Sequence, residues 1–154
     1  MPLATFDSQH LEQFTRLFED LFYAGDPDSM TGYYTQDACL MAEGIHPLQG
    51  HAAIRAFWDA AITRALAAGA RRAIRLHESR SSGALGYALC SVTIQIPPAD
   101  NSPGTGDATR AAWDATIWQR DPDGTWRIAV DISTPLPPLL PTAATYFRGR
   151  EEEP

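Results

Sequence analysis

Two aspartates, Asp114 and Asp131, lie in the middle of two runs that read as paired β-strands. The runs span residues 110–119 and 125–133, and the turn-forming sequence RDPDG joins them into a long predicted β-hairpin. Along each run the side chains alternate in character, which assigns them to opposite faces of a sheet. Because aspartate is depleted inside strands, the face that carries both carboxylates either lines a polar cavity or meets water.

The chemistry of that face depends on the register of the hairpin. If Gln119 pairs with Trp126, Asp114 lies directly opposite Asp131, with Cβ atoms within about 5.5 Å. Two carboxylates that close, partly removed from water, do not both ionise easily, so one pKa rises and the pair shares a proton. A shared proton suits general acid/base catalysis near neutral pH.

The same two aspartates also have a structural interpretation. Asp131 would then accept hydrogen bonds from the backbone of the second helix or from the Tyr34 hydroxyl. Asp114 would pair with Arg127 or Arg110. The sequence leaves both interpretations open.

The basic residues exclude several function classes. All 12 basic residues are arginine, so a lysine Schiff base, a lysine general base and a phosphate-binding P-loop lysine are excluded. The net charge of −7 argues against a nucleic-acid partner, which needs a basic patch.

The remaining composition predicts one domain without a resident metal or cofactor. The cysteines, Cys39 and Cys90, are isolated and form neither a zinc motif nor a disulfide framework. The sequence shows no leader-type apolar run and no segment of about 18 apolar residues, so we expect a cytoplasmic protein with no membrane partner. We expect no cofactor.

Helices precede strands along the chain, which is typical of α+β architecture. The first helix begins after Asp7 and ends at Gly25, and the second runs from Asp26 to about Tyr34. A short strand at 38–42, a loop at 43–50 and a third helix at 51–68 follow. Strands at 71–79 and 85–96 lead to the hairpin. The domain is predicted to span residues 1–134, followed by a Pro-rich extended segment and a disordered acidic end at 135–154.

Four patterns in this order resemble one family. They are Ala24-Gly25-Asp26 at a helix end, YTQDA at 34–38, LQGHAAIRAFW at 48–58, and WQR…DGTWRIAVD at 118–131. Together they resemble the nuclear transport factor 2-like superfamily, in its SnoaL-like and ketosteroid isomerase-like bacterial branch. The resemblance implies a cone: a curved antiparallel sheet wrapped around N-terminal helices, with a pocket on the concave side.

The resemblance implies a range of activities, because the family includes isomerases, polyketide cyclases, dehydratases, epoxide hydrolases and non-catalytic binding domains. The steroid isomerase residues do not carry over. The position of their general base corresponds to about Ala42, that of their oxyanion-hole tyrosine to about Phe18, and that of their protonated aspartate to about Thr116. None of these three residues is of the required type. We therefore expect cofactor-independent acid/base chemistry on an apolar substrate, as an isomerase, cyclase or dehydratase, or else a non-catalytic binding or dimerisation domain.

The resemblance also orients the strand faces and so predicts the site. Asp131 and Asp114 are the predicted acid/base pair, and His46, in the loop that supplies the isomerase base, is a predicted auxiliary base unless it faces solvent. No metal-ligand spacing is present. The predicted substrate-binding residues are Tyr34, Glu43, Trp58, Tyr87, Leu89, Ser91, Thr116, Trp118, Arg127 and Ser133.

The opposite, apolar face of the sheet is too extensive to remain in water. Family members often dimerise through that face, so we expect a homodimer. If the faces are inverted, the same side chains pack on the helices instead. The predicted interface residues are Cys90, Val92, Trp113, Ile117, Ile128 and Val130.

Overall fold

The computed structural model describes residues 3–98 and 108–136. The helices are α1 (Ser8–Ala24), α2 (Pro27–Thr31) and α3 (Gly50–Ala67). The strands are β1 (Tyr34–Met41), β2 (Leu48–Gln49), β3 (Arg71–Ser82), β4 (Leu85–Ile96), β5 (Ala108–Arg120) and β6 (Trp126–Leu136).

Helix α1 has the ends that its sequence predicts. The Asp7 side chain accepts a 2.9 Å hydrogen bond from the backbone N–H of His10, and Gly25 ends the helix with a φ of 71°. A positive φ is strained for residues with a Cβ, so glycine suits this position. The buried side chains of α1 are Leu11, Thr15, Phe18 and Phe22.

The six strands form one mixed sheet in the order β2-β1-β6-β5-β4-β3. Strands β3 to β6 pair antiparallel in chain order, as the sequence predicts, whereas β1 pairs parallel with β6. The α+β prediction is therefore confirmed, and the expectation of a wholly antiparallel sheet is wrong at β1. The last strand, β6, lies beside the first, β1, and the two run in the same direction.

Several element boundaries differ from the predictions, and β1 begins at Tyr34 and not at residue 38. Helix α2 ends at Thr31, because the chain turns at Gly32 and Tyr34 begins β1 opposite Ile128. The predicted loop before α3 contains the short strand β2, which pairs with β1.

At the other end of the chain, β6 continues to Leu136, past the predicted boundary at 134. Most of the predicted Pro-rich segment, from 137 onwards, lies outside the described residues.

A β-bulge in β6 decides which side chains face the helices. Trp118 pairs with Ile128, but Ile117 pairs with Val130, so Ala129 is the extra residue. Both Ile128 and Asp131 consequently point to the helix-covered side, although their sequence parity differs.

The core lies between this side of the sheet and the helices. The largest fully buried side chains are Trp118, Tyr34, Leu11, Met30, Ile54 and Ile128. Edge-to-face ring contacts fill this core: Phe14 of α1 meets Trp118 of β5 at 4.9 Å between centroids, and Phe18 of α1 meets Trp58 of α3 at 5.3 Å.

Candidate active site

The two aspartates are neighbours on the helix-facing side, but not in the predicted register. Asp114 pairs with Ser133, and Asp131 pairs with Thr116. The prediction that Asp114 lies directly opposite Asp131 is wrong for two reasons: Trp126 pairs with Arg120 and not with Gln119, and the bulge shifts β6 by one further residue relative to β5. The carboxylates are diagonal neighbours instead, and the charge of Asp114 still raises the pKa of Asp131.

Asp131 sits in a short chain of hydrogen bonds. The Tyr34 hydroxyl donates to its Oδ2 at 2.6 Å, and Trp58 Nε1 donates to the Tyr34 hydroxyl oxygen at 3.2 Å. Burial, followed by the negative charge of Asp114, raises the pKa of Asp131 from 3.8 to about 6. The Tyr34 hydrogen bond and the positive charge of Arg72 act in the opposite direction.

Asp114 has a different set of partners. Burial raises its pKa, while a hydrogen bond with Ser133 and the charge of Arg72 lower it. Its Oδ1 atom is buried without a hydrogen-bond partner in the described part of the chain. Asp114 therefore has an unused acceptor that a ligand can engage.

Arg72, on β3, lines both cavities and is a charged residue that the sequence did not predict for the site. Its guanidinium carbon lies 6.0 Å from the ring centroid of Phe18, 5.3 Å from that of Phe22 and 5.8 Å from that of Trp58. Burial lowers the pKa of Arg72, and the nearby carboxylates, led by Asp114, raise it.

A simple signal marked this residue, because Arg72 has the same strand parity as Ile74 and Leu76. The alternation of apolar side chains therefore assigns it to the buried side of β3. Arg127 was the arginine predicted for the site, whereas the structure places Arg72 in the cavity walls with the two aspartates.

Two cavities meet at the candidate site. One has a volume of about 50 Å³ and lies under α1, and the other has about 280 Å³ and extends towards α3 and the far end of β5. Their walls are mainly apolar, with a few convergent polar groups, as in sites for small apolar ligands. The residues that line both cavities are Trp58, Arg72, Asp114 and Asp131.

Several predicted residues lie in these walls. Tyr34, Thr116 and Trp118 line the smaller cavity, and Ser133 lines the larger one. Trp118 Nε1 donates a 2.9 Å hydrogen bond to Thr116 Oγ1, so both side chains are held in place. Trp58 belongs to both walls.

The predicted orientation of β4 is wrong. Tyr87, Leu89 and Ser91 point to the outer face of the sheet, because Ala88 and Cys90 pair with Thr116 and Asp114 on the inner face. Outside, the Tyr87 hydroxyl donates to Glu78 at 2.5 Å and Ser91 Oγ is 2.7 Å from His77 Nε2. The physical reason is that β4 contributes an apolar part of the cavity wall, so the apolar row of its side chains faces inwards.

The predicted alternation of β6 also assigned Arg127 to the wrong face of the sheet. The bulge separates it from Asp131, and its guanidinium pairs with Asp121 and Asp123 at the hairpin turn. It therefore fixes the turn and is not among the described residues that line the two cavities.

Glu43 and His46 are exposed in the loop between β1 and β2. Neither belongs to the described walls of the two cavities, whereas Met41 and Ala42, just before them, line the larger one. The structure therefore does not bring His46 together with the two aspartates.

The predicted interface residues divide between the two faces. Cys90 and Ile128 line the smaller cavity and Val92 lines the larger, so assigning them to an outer interface is wrong. Trp113 and Ile117, each 41% exposed, do lie outside. Val130 pairs with Ile117 and shares that outer face.

Burial and the neighbouring carboxylates raise the pKa of the Cys90 thiol to about 12, which disfavours the thiolate form that acts as a nucleophile. Among the described residues, no group of three or more His, Cys, Asp and Glu side chains has the arrangement of a metal site. No helix in the described ranges is long and apolar enough to cross a membrane.

Comparison with known proteins agrees with this fold. The family model described as a SnoaL-like domain matches residues 14–129. Comparison with curated protein sequences gives no match.

Solved structures show the same fold at low sequence identity. A nuclear transport factor 2-like protein with a cystatin-like fold from Novosphingobium aromaticivorans is 19% identical, with a TM-score of 0.66, covering 91% of this chain and 95% of that one. A ketosteroid isomerase-like protein from Erwinia carotovora atroseptica is 14% identical (TM-score 0.63; 86% and 100% covered). A proposed dehydratase of the same superfamily from Streptomyces avermitilis is 11% identical (TM-score 0.63; 82% and 93% covered).

Proposed function

The chain belongs to the SnoaL-like family of the nuclear transport factor 2-like superfamily, and on that premise we propose that it is a cofactor-independent acid/base enzyme acting on an apolar small molecule. The reaction class is isomerisation, cyclisation or dehydration. The structures that share the fold include one termed ketosteroid isomerase-like and one proposed dehydratase, which supports this range without selecting within it.

One observation carries the proposal: two buried carboxylates with raised pKa values meet in the wall that the two cavities share. A pair that shares one proton offers an ionised base and a protonated acid at the same time. Perturbed carboxylates in a largely apolar cleft are typical of catalytic sites.

The proposed step uses both members of the pair on an enolisable carbonyl compound. The ionised carboxylate takes a proton from the carbon next to the carbonyl group, so that the C–H bond breaks and its electron pair moves into the new C=C bond. The protonated carboxylate gives its proton to the carbonyl oxygen, which yields an enol. Return of a proton at another carbon completes an isomerisation, loss of a hydroxyl as water completes a dehydration, and attack on a second carbonyl completes a cyclisation.

Deuterium exchange tests this proposal without knowledge of the natural substrate. Bicyclic enolisable ketones such as 2-tetralone would be incubated with the protein in D₂O, and exchange beside the carbonyl followed by mass spectrometry. We expect D131N and D114N each to reduce the enzyme-dependent rate at least about 100-fold, the usual contribution of a general acid or base. The variant D59N, at an exposed position on α3, should exchange like the wild type; wild-type rates in both site variants would refute the proposal.

A second candidate function is ligand binding without catalysis. It is favoured by the fact that each carboxylate already has a protein partner, Tyr34 for Asp131 and Ser133 for Asp114. Saturable binding of apolar ketones with no exchange above the solvent rate would select this candidate.

We also propose that the chain forms a homodimer through the outer face of the sheet. Large apolar side chains are exposed there: Trp113 and Ile117 at 41% and Leu85 at 57%. Exposed clusters of this kind are typical of protein interfaces.

A further inference from the structure

Two buried polar atoms in the shared cavity wall lack hydrogen-bond partners among the described residues. They are Arg72 Nη1, a donor, and Asp114 Oδ1, an acceptor. Both residues line the smaller and the larger cavity. Buried polar groups are nearly always paired, and one ligand group that both accepts and donates would supply the partners that these two atoms lack.

The surroundings of Arg72 fix its guanidinium and leave this donor available. The rings of Phe18, Phe22 and Trp58 surround the group within 6.0 Å of their centroids and offer no conventional hydrogen-bond acceptor. Charge attracts the guanidinium to Asp114, Glu19 and Asp131, while Glu19 Oε1 is occupied by the backbone N–H of Ile74 at 2.6 Å. The donor therefore remains available to a group in the cavity.

The charges of the wall select the kind of ligand. The charge of Arg72 is already balanced by the carboxylate pair, of which one member is ionised when the pair shares a proton, so a negatively charged ligand group would meet repulsion without an unpaired cation to offset it. Arginine only donates, and an ionised carboxylate only accepts. A neutral hydroxyl satisfies both orphan atoms, because its oxygen accepts from Arg72 while its hydrogen is donated to Asp114.

We propose that Arg72 and Asp114 form a binding site for the oxygen of a neutral, apolar enol or phenol. This inference rests on the proposed function. The substrates are then neutral carbonyl compounds, whose oxygen accepts a hydrogen bond from Arg72 and becomes the enol hydroxyl. Arg72 is then a catalytic residue that stabilises negative charge on this oxygen as the C–H bond breaks.

Binding of three bicyclic probes tests the site independently of turnover. The probes are 2-naphthol, naphthalene and 2-naphthoate, measured by calorimetry with the full chain. We expect 2-naphthol to bind at least about tenfold more tightly than the other two, which corresponds to one charge-assisted hydrogen bond. Equal affinity for naphthalene and 2-naphthol, a preference for 2-naphthoate, or no binding of any probe would overturn the proposal.

Substitution at Arg72 identifies the donor. Arg72→Met replaces the guanidinium with an apolar side chain of similar length. It should remove the preference for 2-naphthol over naphthalene and leave the affinity for naphthalene unchanged. Arg75→Met is the matched control, since Arg75 is exposed on the same strand, and it should bind all probes like the wild type. An undiminished preference in Arg72→Met would refute the role of this residue.

Removing Arg72 alone leaves two carboxylates without their cation, so the single variant is at risk of unfolding. The double variant Arg72→Met/Asp114→Asn removes one charge of each sign and should fold and lose the same preference; a folded double variant that keeps the preference overturns the proposal.

Failure of the oxygen site can be distinguished from failure of the proposed enzyme activity. Arg72-dependent binding of 2-naphthol without deuterium exchange would leave the oxygen site standing and remove the proposed enzyme activity.

Discussion

Asp131 Oδ2 accepts a 2.6 Å hydrogen bond from the hydroxyl of Tyr34, which lies 97 positions earlier in the chain. The contact joins β6 to the start of β1, its parallel neighbour. It was one of the structural partners that the sequence left open for Asp131. Its presence does not exclude catalysis, because burial and Asp114 still hold the pKa of Asp131 at about 6.

The first prediction concerns the pH dependence of stability. The folded-state pKa of Asp131, about 6, is above its ordinary value of 3.8, so the folded protein binds this proton more tightly than the unfolded chain. Stability contributed by the protonated group is therefore present below about pH 4 and lost as the pH rises to about 6. Ionised Asp131 should destabilise the fold by on the order of 3 kcal/mol above that range.

Urea unfolding from pH 4 to pH 8 checks this prediction. The wild type should lose stability relative to D131N across pH 4–6 and keep that deficit at higher pH. D20N, at an exposed position of α1, should follow the wild-type curve. Parallel wild-type and D131N curves would show that the Asp131 pKa is not raised.

The second prediction concerns Tyr34→Phe. This change removes the hydroxyl that lowers the pKa of Asp131 and the acceptor of Trp58 Nε1. The pKa of Asp131 should rise further, and the fold should lose about 1–3 kcal/mol, since Trp58 Nε1 is left buried and unpaired.

Carboxyl-carbon NMR titration and urea unfolding measure these two effects. Tyr87→Phe is the matched control, because Tyr87 also donates to a carboxylate, Glu78, but on the outer face. An Asp131 pKa that is equal in Tyr34→Phe and Tyr87→Phe would contradict the assignment.

How much the sequence could predict depends on whether the signal was local. The ends of α1 and the length of β4 were predictable, because a cap at Asp7, a glycine at Gly25 and an uninterrupted strand pattern are local features. The alternation that revealed Asp114 and Asp131 as unusual strand residues was also local. Both line the cavities, together with the predicted Tyr34 and Trp58.

The site was less predictable where long-range pairing decides the faces. The bulge at Ala129 changes the parity of β6 between Arg127 and Asp131, and no residue type in that run marks it. The faces of β4 were reversed because an apolar row suits a cavity wall as well as a subunit interface. Arg72 was available from strand parity, but its role depends on carboxylates from β5 and β6 that only the fold brings near it.

The third prediction concerns the close approach of Phe6 to β4. A Cβ added at Gly86 would lie 2.8 Å from Phe6 Cε1 and Cζ and 3.1 Å from the carbonyl oxygen of Arg80. Phe6 cannot move freely, because its ring centroid lies 5.9 Å from that of Trp118 and 4.8 Å from that of Trp126. Gly86→Ala should therefore cost about 1–3 kcal/mol of stability.

A double-mutant cycle isolates this contact. Phe6→Leu removes the ring edge, so Gly86→Ala should be less destabilising in that background than in the wild type. Chemical unfolding of the four proteins gives the coupling energy. Additive effects would show that the loss comes from the strand backbone of Gly86 and not from Phe6.

The last prediction concerns the proposed dimer. Ile117 is 41% exposed on the outer face, where it pairs across the sheet with Tyr87 and Val130. A charge in the centre of an apolar interface is left without a partner, so Ile117→Arg should shift the protein to the monomer at micromolar concentration. Light scattering should give twice the chain mass of 16.8 kDa for the wild type and the chain mass itself for the variant. Leu66→Arg, at a 42% exposed position on α3, is the matched control and should stay dimeric. A wild-type mass of one chain would refute the dimer, and dissociation of both variants would place the interface elsewhere than on the sheet alone.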